Sequence, residues 1–405
     1  MRHGMSDKAQ VVVAGHICLD VIPTFESRSG GLGTTPLIPG KLVTVGPAIM
    51  ATGGAVSNTG LALHRLGIAT KLMAKVGDDL FGTTILDLLQ SYDDALVKGI
   101  VVAPGESSSY TLVISPPGMD RILLHCPGTN DSFGPDDVDI HQLEGAQIFH
   151  FGYPPVMRRM YANGGLNLGT LMERVKALGL TTSLDMAYPD LGSEAGQVDW
   201  AALLDRVLPY IDLFLPSLDE ILFMLDRPQH DALSKSVAGE LAASIDSTLL
   251  SALAGRLLDM GVAIAALKLG SQGLYARTTS DGKRLASIGA GAPEDVNKLV
   301  GRELLAPCFK AKVVGTTGAG DSTIAGFLAG LLKGLSIEDV MTSAVAVGAF
   351  NVESPDATSG VPDWDTVQMR SRADWERLPL TLSLEGWQWD REKGIWVGPN
   401  DKRRG

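Results

Sequence analysis

A glycine-rich turn that ends in an aspartate is the part of the sequence best suited to chemistry. Residues 315–323 read Gly-Thr-Thr-Gly-Ala-Gly-Asp-Ser-Thr, with an apolar pair before them and apolar residues at helical spacing after them. Such a turn directs backbone N–H groups, and the positive end of the helix dipole, at one point in space. Asp321 can there accept a proton from an attacking hydroxyl. The pattern predicts phosphoryl transfer to an alcohol.

Two better-known glycine motifs do not fit the sequence. A Walker A loop needs Gly-Lys followed by Ser or Thr, and Asp321 stands where that lysine belongs. A G-x-G-x-x-G fingerprint for dinucleotides does not occur. The alternative for Gly318 to Gly320 is a tight strand-to-helix connection that binds nothing.

This turn resembles the second signature of the ribokinase-like (PfkB) carbohydrate kinase family, D-T-x-G-A-G-D. Thr316 to Asp321 matches it residue for residue, whereas Gly315 replaces the first aspartate. The resemblance implies that Asp321 is the general base. It also implies that the N–H groups of Gly318, Ala319 and Gly320 form an anion hole, with Thr316 on the nucleotide side.

Other segments match the family in its order, over roughly residues 10 to 365. Asp20 follows a predicted first strand, and Gly53-Gly54 precedes Asn58 as in the family's G-G-x-x-x-N element. The resemblance implies that Asp20 and Asn58 hydrogen-bond sugar hydroxyls, while Gly53 and Gly54 let the backbone approach the sugar. The alternatives are helix capping by Asn58 and an ordinary tight turn at the glycines.

The nucleotide side has a matching strand and turn at residues 267–273, Leu-Lys-Leu-Gly-Ser-Gln-Gly. The resemblance implies that Lys268, Gly270 and Gly273 contact ATP. It places adenine near residues 344–351, with Asn351 in contact with the nucleotide.

The metal assignment depends on Pro216 to Glu220, which resembles the family's N-x-x-E element with Ser217 in place of asparagine. The resemblance implies that Glu220 lies near Mg²⁺, bound through water. The alternative for Glu220 is a solvated helix residue.

The elements that position these residues follow an alternating pattern. Short apolar strands are predicted at 146–151, 180–184, 211–215 and 262–269, with helical segments between them. This pattern is typical of βαβ units and an α/β protein with a parallel sheet. The resemblance implies a ribokinase-like three-layer fold with a central, mostly parallel sheet and a small β-sheet lid.

Two stretches, Pro39 to Ile49 and Ser108 to His125, are rich in β-branched residues and are predicted to be hairpins. In the resembled family these positions form a lid over the sugar, here from about 17–50 and 107–130, which excludes competing water. The resemblance also allows a homodimer through the lid. The alternative is a pair of extra edge strands.

The domain prediction is a kinase domain over 10–366 and a Trp-rich extension over 367–405. Within the extension, Gly386 to Trp389 and Ile395 to Val397 are predicted to form a hairpin whose aromatics pack on the body. The end of the chain, Asn400 to Gly405, is expected to fray.

Composition limits the function class. A net charge of −12 argues against nucleic acid or an anionic membrane as partner. The three cysteines, Cys18, Cys126 and Cys308, show neither a disulfide framework nor a zinc spacing, and the seven histidines do not cluster along the chain. His16, His125 and His150 lie at predicted strand ends and are read as structural. No apolar run could span a membrane, so a cytoplasmic protein is expected.

These observations predict an ATP- and Mg²⁺-dependent sugar kinase. A nucleoside kinase of the same fold remains an alternative, because the phosphoryl-transfer residues would be shared. A catalytically silent sugar or phosphate sensor is a second alternative, favoured by Gly315 and Ser217 and opposed by Asp321.

Overall fold

The structure is a computed structural model that describes residues 9–25, 39–115, 122–236, 241 and 245–403. The strands are β1 (Val11–Gly15), β2 (Cys18–Pro23), β3 (Ala48–Gly53), β4 (Thr70–Gly77), β5 (Ile100–Ala103), β6 (Tyr110–Ile114), β7 (Ile122–Cys126), β8 (Ile148–Gly152), β9 (Thr181–Asp185), β10 (Leu213–Phe214), β11 (Ile264–Lys268), β12 (Leu274–Thr278), β13 (Glu303–Ala306), β14 (Gln388–Asp390) and β15 (Ile395–Val397).

The α-helices of the described residues are α1 (Ala55–Arg65), α2 (Leu80–Gln90), α3 (Arg158–Ala177), α4 (Trp200–Val207), α5 (Leu218–Leu225), α6 (Arg227–Ser236), α7 (Ser247–Asp259), α8 (Gly282–Ala286), α9 (Ala319–Leu332), α10 (Ile337–Asn351) and α11 (Trp364–Arg372). None of them is long and apolar enough to cross a membrane.

The main sheet has 11 strands in the order β14-β15-β13-β12-β11-β10-β9-β8-β1-β4-β5. Every pairing from β5 to β11 is parallel, and every pairing from β11 to β14 is antiparallel. The strands predicted at 146–151, 180–184, 211–215 and 262–269 correspond to β8, β9, β10 and β11. The prediction of an α/β fold with a mostly parallel sheet is therefore confirmed.

Helices cover both faces of this sheet, as the central strand β1 shows. Its side chains alternate: Val11 and Val13 join one apolar core, and Val12 and Ala14 join the other. The first core packs against α1, α2, α9 and α10, the second against α3, α4, α5 and α7. Because β1 is buried on both faces, its sequence is a continuous apolar run.

The smaller sheet has four strands in the order β3-β2-β6-β7. The predicted hairpin at 108–125 is confirmed by the antiparallel pairing of β6 with β7, although residues 116–121 of its turn lie outside the described part. The hairpin predicted at Pro39 to Ile49 is wrong. Residues 41–47 form no strand, and β3, which begins at Ala48, pairs instead with β2. Residues 26–38 of the connection lie outside the described residues.

The tail extends the main sheet. The hairpin predicted there is confirmed as β14 and β15, and β15 pairs with β13. The expectation that Asn400 and the residues after it fray is wrong for the first two. Asp401 is buried and its Oδ2 accepts from Arg302 Nε at 2.9 Å, while Asn400 N donates to Glu303 Oε2 at 2.7 Å. These polar contacts hold the end of the chain against β13.

Candidate active site

The site lies at the carboxyl ends of the parallel strands. Chain order reverses around β1, since β4 lies on one side of it and β8 on the other. Open α/β sheets bind ligands at such a switch point. His16 follows β1, Tyr153 follows β8, and Asp185 and Lys268 end β9 and β11. Asp185 and Asp321 both interact with Lys268, as described below.

Asp321 is buried in the first turn of α9 and its carboxylate accepts four short contacts. Asn58 Nδ2 donates to Oδ2 at 3.0 Å, and Thr59 Oγ1 donates to Oδ1 at 3.2 Å. The Tyr153 hydroxyl lies 2.9 Å from Oδ1 and 2.8 Å from Oδ2. The first turn of α1 and the end of β8 thus hold this carboxylate in one orientation.

Tyr153 is a site residue that the sequence did not reveal. Its backbone has φ 67°, a left-handed conformation that is unusual for a tyrosine, directly after the last residue of β8. Burial raises the pKa of Tyr153, and the charge of Asp321 raises it further. The phenol therefore stays protonated and donates a hydrogen bond to the carboxylate. Such strain at a strand end is a common feature of functional sites.

The glycine turn before α9 has the geometry that anion binding needs. Gly318 has φ 72°, and a Cβ added there would lie 2.6 Å from the Ala357 carbonyl oxygen. Only glycine fits that position. The first N–H groups of a helix have no carbonyl within the helix to bond. Ala319 N donates to Thr316 O at a long 3.3 Å, which leaves the Gly318 and Gly320 N–H groups as the stronger candidates for anion donors.

A cluster of charge lies beside this turn. Lys268 Nζ is 2.7 Å from Asp185 Oδ1, and a Cβ added at Gly320 would lie 3.6 Å from the same Nζ. Burial raises the pKa of Asp185 to about 8; Lys268 opposes this rise, and the charges of Glu220 and Asp321 add to it. Burial lowers the pKa of Lys268, but the carboxylates of Asp185 and Glu220 outweigh burial and leave it raised.

The carboxyl groups of Asp185, Glu220 and Asp321 therefore all interact with the Lys268 ammonium, and one of their oxygens has no hydrogen-bond partner among the described residues. Asp185 Oδ2 is fully buried and has no hydrogen-bond partner among the residues that the structure describes. Burial also raises the pKa of Glu220, against the effect of Lys268. An unpaired carboxylate oxygen and excess negative charge are what an oxygen-ligated cation would stabilise.

Ser217 is compatible with this arrangement although the resembled family has asparagine there. Its Oγ accepts from Glu220 N at 3.2 Å, and Glu220 Oε2 accepts from Ser217 N at 2.7 Å. This capping box fixes the start of α5 and the position of the Glu220 carboxylate. Gly315 is likewise fitted to its surroundings, because a Cβ there would lie 2.9 Å from the carbonyl oxygens of Ser354 and Pro355.

A cavity of about 310 Å³ opens on the other side of the glycine turn. Its lining includes the predicted nucleotide residues Thr316, Lys268, Gly270 and Gly273. Asn351 does not line it; it is fully buried, and its Nδ2 donates to Ala357 O at 2.5 Å. Because Ala357 packs against Gly318, Asn351 supports the turn from behind. Leu378, from the tail, lines the cavity and was not foreseen.

The predicted sugar residues lie on the opposite side of Asp321. Asp20 is inside β2 of the small sheet, not at the end of the first strand, and a Cβ added at Gly53 would lie 2.4 Å from its Oδ2. Gly54 has φ 88° and precedes α1 as its N-cap. Asn58 Oδ1, buried in α1, has no partner among the described residues.

Two of the histidines meet in space, although the histidines do not cluster along the chain. His16 Nε2 lies 3.3 Å from His125 Nε2, although 109 positions separate the two residues. Burial lowers the pKa of His16 well below its ordinary value, with a further contribution from His125, and burial also lowers the pKa of His125. His150 is a core residue; its Nδ1 lies 2.8 Å from Ser183 Oγ, and burial lowers its pKa to about 3.

Comparison with known proteins agrees with this architecture. The chain is similar to an uncharacterized sugar kinase of Archaeoglobus fulgidus, with 26% identity over 75% of this chain and 98% of that protein. It is also similar to a 2-dehydro-3-deoxygluconokinase of Bacillus subtilis, with 25% identity over 76% of this chain and 83% of the relative. The structure of an Arabidopsis thaliana ribokinase complexed with ribose and ATP superposes with a TM-score of 0.65 at 18% identity, covering 90% of this chain and 99% of that one.

The profile of the pfkB family carbohydrate kinases matches residues 8–364, most of the chain. Members of this family are phosphotransferases with an alcohol group as acceptor, and the structural neighbours share the ribokinase fold. The chain belongs to the pfkB family of carbohydrate kinases.

Proposed function

We propose that the protein transfers the γ-phosphoryl group of ATP to a hydroxyl of a sugar, with Asp321 as general base. The observation that carries this proposal is the place of Asp321, in the first turn of α9, beside the lined cavity and hydrogen-bonded to Asn58 of α1. On one side lies the cavity lined by Lys268 and the glycine turn. On the other lie Asn58, Gly53 and Asp20 of the acceptor side.

The acceptor hydroxyl would approach Asp321 from the side of α1. Asn58 Nδ2 and Thr59 Oγ1 hold the carboxylate so that it can accept a hydrogen bond from the hydroxyl and then its proton. Asp20 and the unpaired Asn58 Oδ1 would bind neighbouring sugar hydroxyls. The close approach of Asp20 to Gly53 brings the small sheet down to the start of α1.

The phosphoryl group would pass over the glycine turn. N–H groups of Gly318, Ala319 and Gly320 would stabilise its growing charge, each donor contributing on the order of 3 kcal/mol to transition-state stabilisation. The Lys268 ammonium, next to Gly320, would add a positive charge on the nucleotide side. Positioning and electrostatics of this kind supply most of the catalysis in phosphoryl transfer.

The charge cluster fits Mg²⁺. Asp185, through the unpaired Oδ2, and Glu220 would hold the ion, at least partly through water, since Mg²⁺ keeps several of its waters. When bound, the ion neutralises the phosphate oxygens of the donor. Lys268 and the capping box of Ser217 would keep both carboxylates in place.

The small sheet would act as the lid of the acceptor site, and we propose that the exposed apolar side chains of its two edge strands form a homodimer contact. Four large apolar side chains on β3 and β7 are about half exposed or more: Ile49, Met50, Leu123 and Leu124. Exposed apolar patches of this kind mark interaction surfaces. Sedimentation of the wild type against a Leu123→Glu, Leu124→Lys variant tests the contact; equal molecular mass for the two proteins would exclude it.

ADP release with ATP, Mg²⁺ and a panel of sugars, sugar acids and nucleosides tests the function. We expect turnover with a member of the sugar panel and loss of turnover in Asp321→Asn. Turnover with nucleosides alone would favour the nucleoside kinase. Saturable sugar binding by calorimetry without any ADP release would favour the silent sensor.

A further inference from the structure

Two histidines and a cysteine meet where the lid touches the body. His16 follows β1, Cys18 begins β2, and His125 lies on the lid strand β7. The ligand atoms of all three lie within 4.8 Å of one another, although the sequence places His125 more than 100 residues from the other two.

The distances match a tetrahedral ion of the zinc type. Two imidazole nitrogens, each about 2.05 Å from a tetrahedral zinc ion, lie about 3.3 Å apart. The observed separation of His16 Nε2 and His125 Nε2 is 3.3 Å. A thiolate sulfur about 2.3 Å from the same ion would lie about 3.6 Å from each nitrogen. Cys18 Sγ lies at most 4.8 Å from the ligand atom of each histidine. A shift of little more than about 1 Å would therefore bring it to the zinc-type distance.

The surroundings orient these groups as a metal site requires. Thr111 Oγ1 lies 3.0 Å from His125 Nδ1 and 3.5 Å from Cys18 Sγ. If the histidine donates from Nδ1 to Thr111, its Nε2 is left bare and faces His16. A hydrogen bond to the second ring nitrogen is the usual partner of a metal-bound histidine. Asp20 Oδ1 accepts from Cys18 Sγ at 3.4 Å.

A hydrogen bond between the two histidines is the competing explanation, but it explains the geometry poorly. A separation of 3.3 Å is long for such a bond. His16 Nδ1 is buried and without a hydrogen-bond partner within the described part of the chain under either explanation, so this atom does not decide between them. Two imidazoles and a thiol are the ligand set that Zn²⁺ and its neighbours in the first transition row prefer.

We propose that His16, Cys18 and His125 bind one divalent ion of the zinc type, which fastens the lid strand β7 to the body. On binding, the thiol proton passes to solvent and the thiolate bonds the ion. His16 and Cys18 are buried, whereas His125 is exposed and leaves an entry path. A fastened lid would hinder entry of the sugar. We therefore expect the ion to inhibit in competition with the sugar and not with ATP, an expectation that rests on the proposed function.

Cobalt titration of the full chain tests the site without any substrate. Co²⁺ takes the same ligands and reports thiolate coordination by an intense near-ultraviolet charge-transfer band. We expect one Co²⁺ per chain with that band, displaced by Zn²⁺. His125→Ala removes a ligand and should weaken cobalt binding by more than the roughly 10–100-fold that is typical of losing a hydrogen-bond partner of a ligand. Cys18→Ser should remove the band, and His141→Ala, at an exposed histidine elsewhere, should change nothing.

The outcomes separate the two proposals. Absence of the band in the wild type, or binding that His125→Ala leaves unchanged, overturns the metal site, whether or not the protein phosphorylates a sugar. A cobalt site that depends on His125 in a protein without kinase activity overturns the proposed function and leaves the metal site intact. Because His125 is on the lid surface, its variant remains informative even if Cys18→Ser fails to fold.

Discussion

Replacing Asp321 with asparagine tests the general base with the least change to the packing of the site. The amide fills the same space, and its two ends can match the existing partners. Its oxygen can take the position that accepts from Asn58 Nδ2. Its nitrogen then faces the hydroxyls of Thr59 and Tyr153, which can both turn to accept.

The size of the effect follows from these contacts. Each contact loses its charge assistance, about 1 kcal/mol, and a hydroxyl that turns to accept must find another acceptor for its own proton. The loss of repulsion from Asp185 offsets part of that cost. For a chain of 405 residues, 1 kcal/mol corresponds to about 1 °C in melting temperature. The melting temperature should therefore fall by only a few degrees, whereas kcat should fall at least ~10²-fold, because an amide cannot accept the proton.

The assay is ADP release at saturating sugar and ATP, with melting measured by scanning fluorimetry. Asp365→Asn is the matched control, since Asp365 is an exposed carboxylate in the first turn of α11. If Asp321→Asn turns over at the wild-type rate, Asp321 is not the general base. The assignment also fails if Asp321→Asn loses activity only because it is as unstable as Asp321→Ala, which leaves the donors of Asn58 and Thr59 unpaired.

Four further results are expected. Asp20→Ala should weaken sugar binding far more than ATP binding by calorimetry, and equal losses would place Asp20 outside the acceptor site. Truncation before Trp375 should lower the melting temperature by several degrees, because the main sheet loses β15. It should also raise the KM for ATP, because the cavity loses Leu378. An unchanged melting temperature would contradict this view. The hydrogen bonds and charge of Arg370 lower the pKa of Glu353. The stability from this pair should therefore be complete above about pH 4.3 and be lost as the pH falls through the lower folded-state pKa. Glu353→Gln should flatten that part of the melting temperature's pH profile, and an unchanged profile would argue against the pair. Sugar binding should protect amides of β3 and β7 together from hydrogen exchange, and a phosphorylated sugar that protects neither would make the small sheet a fixed part of the scaffold.

Local patterns were enough to predict much of the fold. Apolar runs gave the buried strands from β8 to β11, because a strand covered on both faces has no polar positions. The glycine turn before Asp321 was recognisable because its backbone conformation and the contact of Gly318 with Ala357 restrict the residue type. The Pro39 to Ile49 hairpin failed because β-branched residues alone do not specify a pairing partner, and β3 finds its partner in β2.

The contacts that complete the site are long-range and left no local trace. Tyr153 reaches Asp321 across 168 positions, and no spacing rule connects them. His16 and His125 meet only because β7 follows β6 back along the lid. Asp185 could be placed at a strand end, but its unpaired oxygen could not be foreseen. Lys268, whose role came from the family resemblance, proved to be its ion-pair partner.

The position of β15 has a consequence for how the protein is made. β15 pairs with β13, yet some 90 residues of chain separate them. During translation the free edge of β13 therefore stays open until those further residues have been synthesised. An exposed edge strand is a template for pairing with other chains. We expect nascent or prematurely terminated chains to aggregate through this edge, and a chaperone or a helix of the chain itself to cover it until β15 arrives.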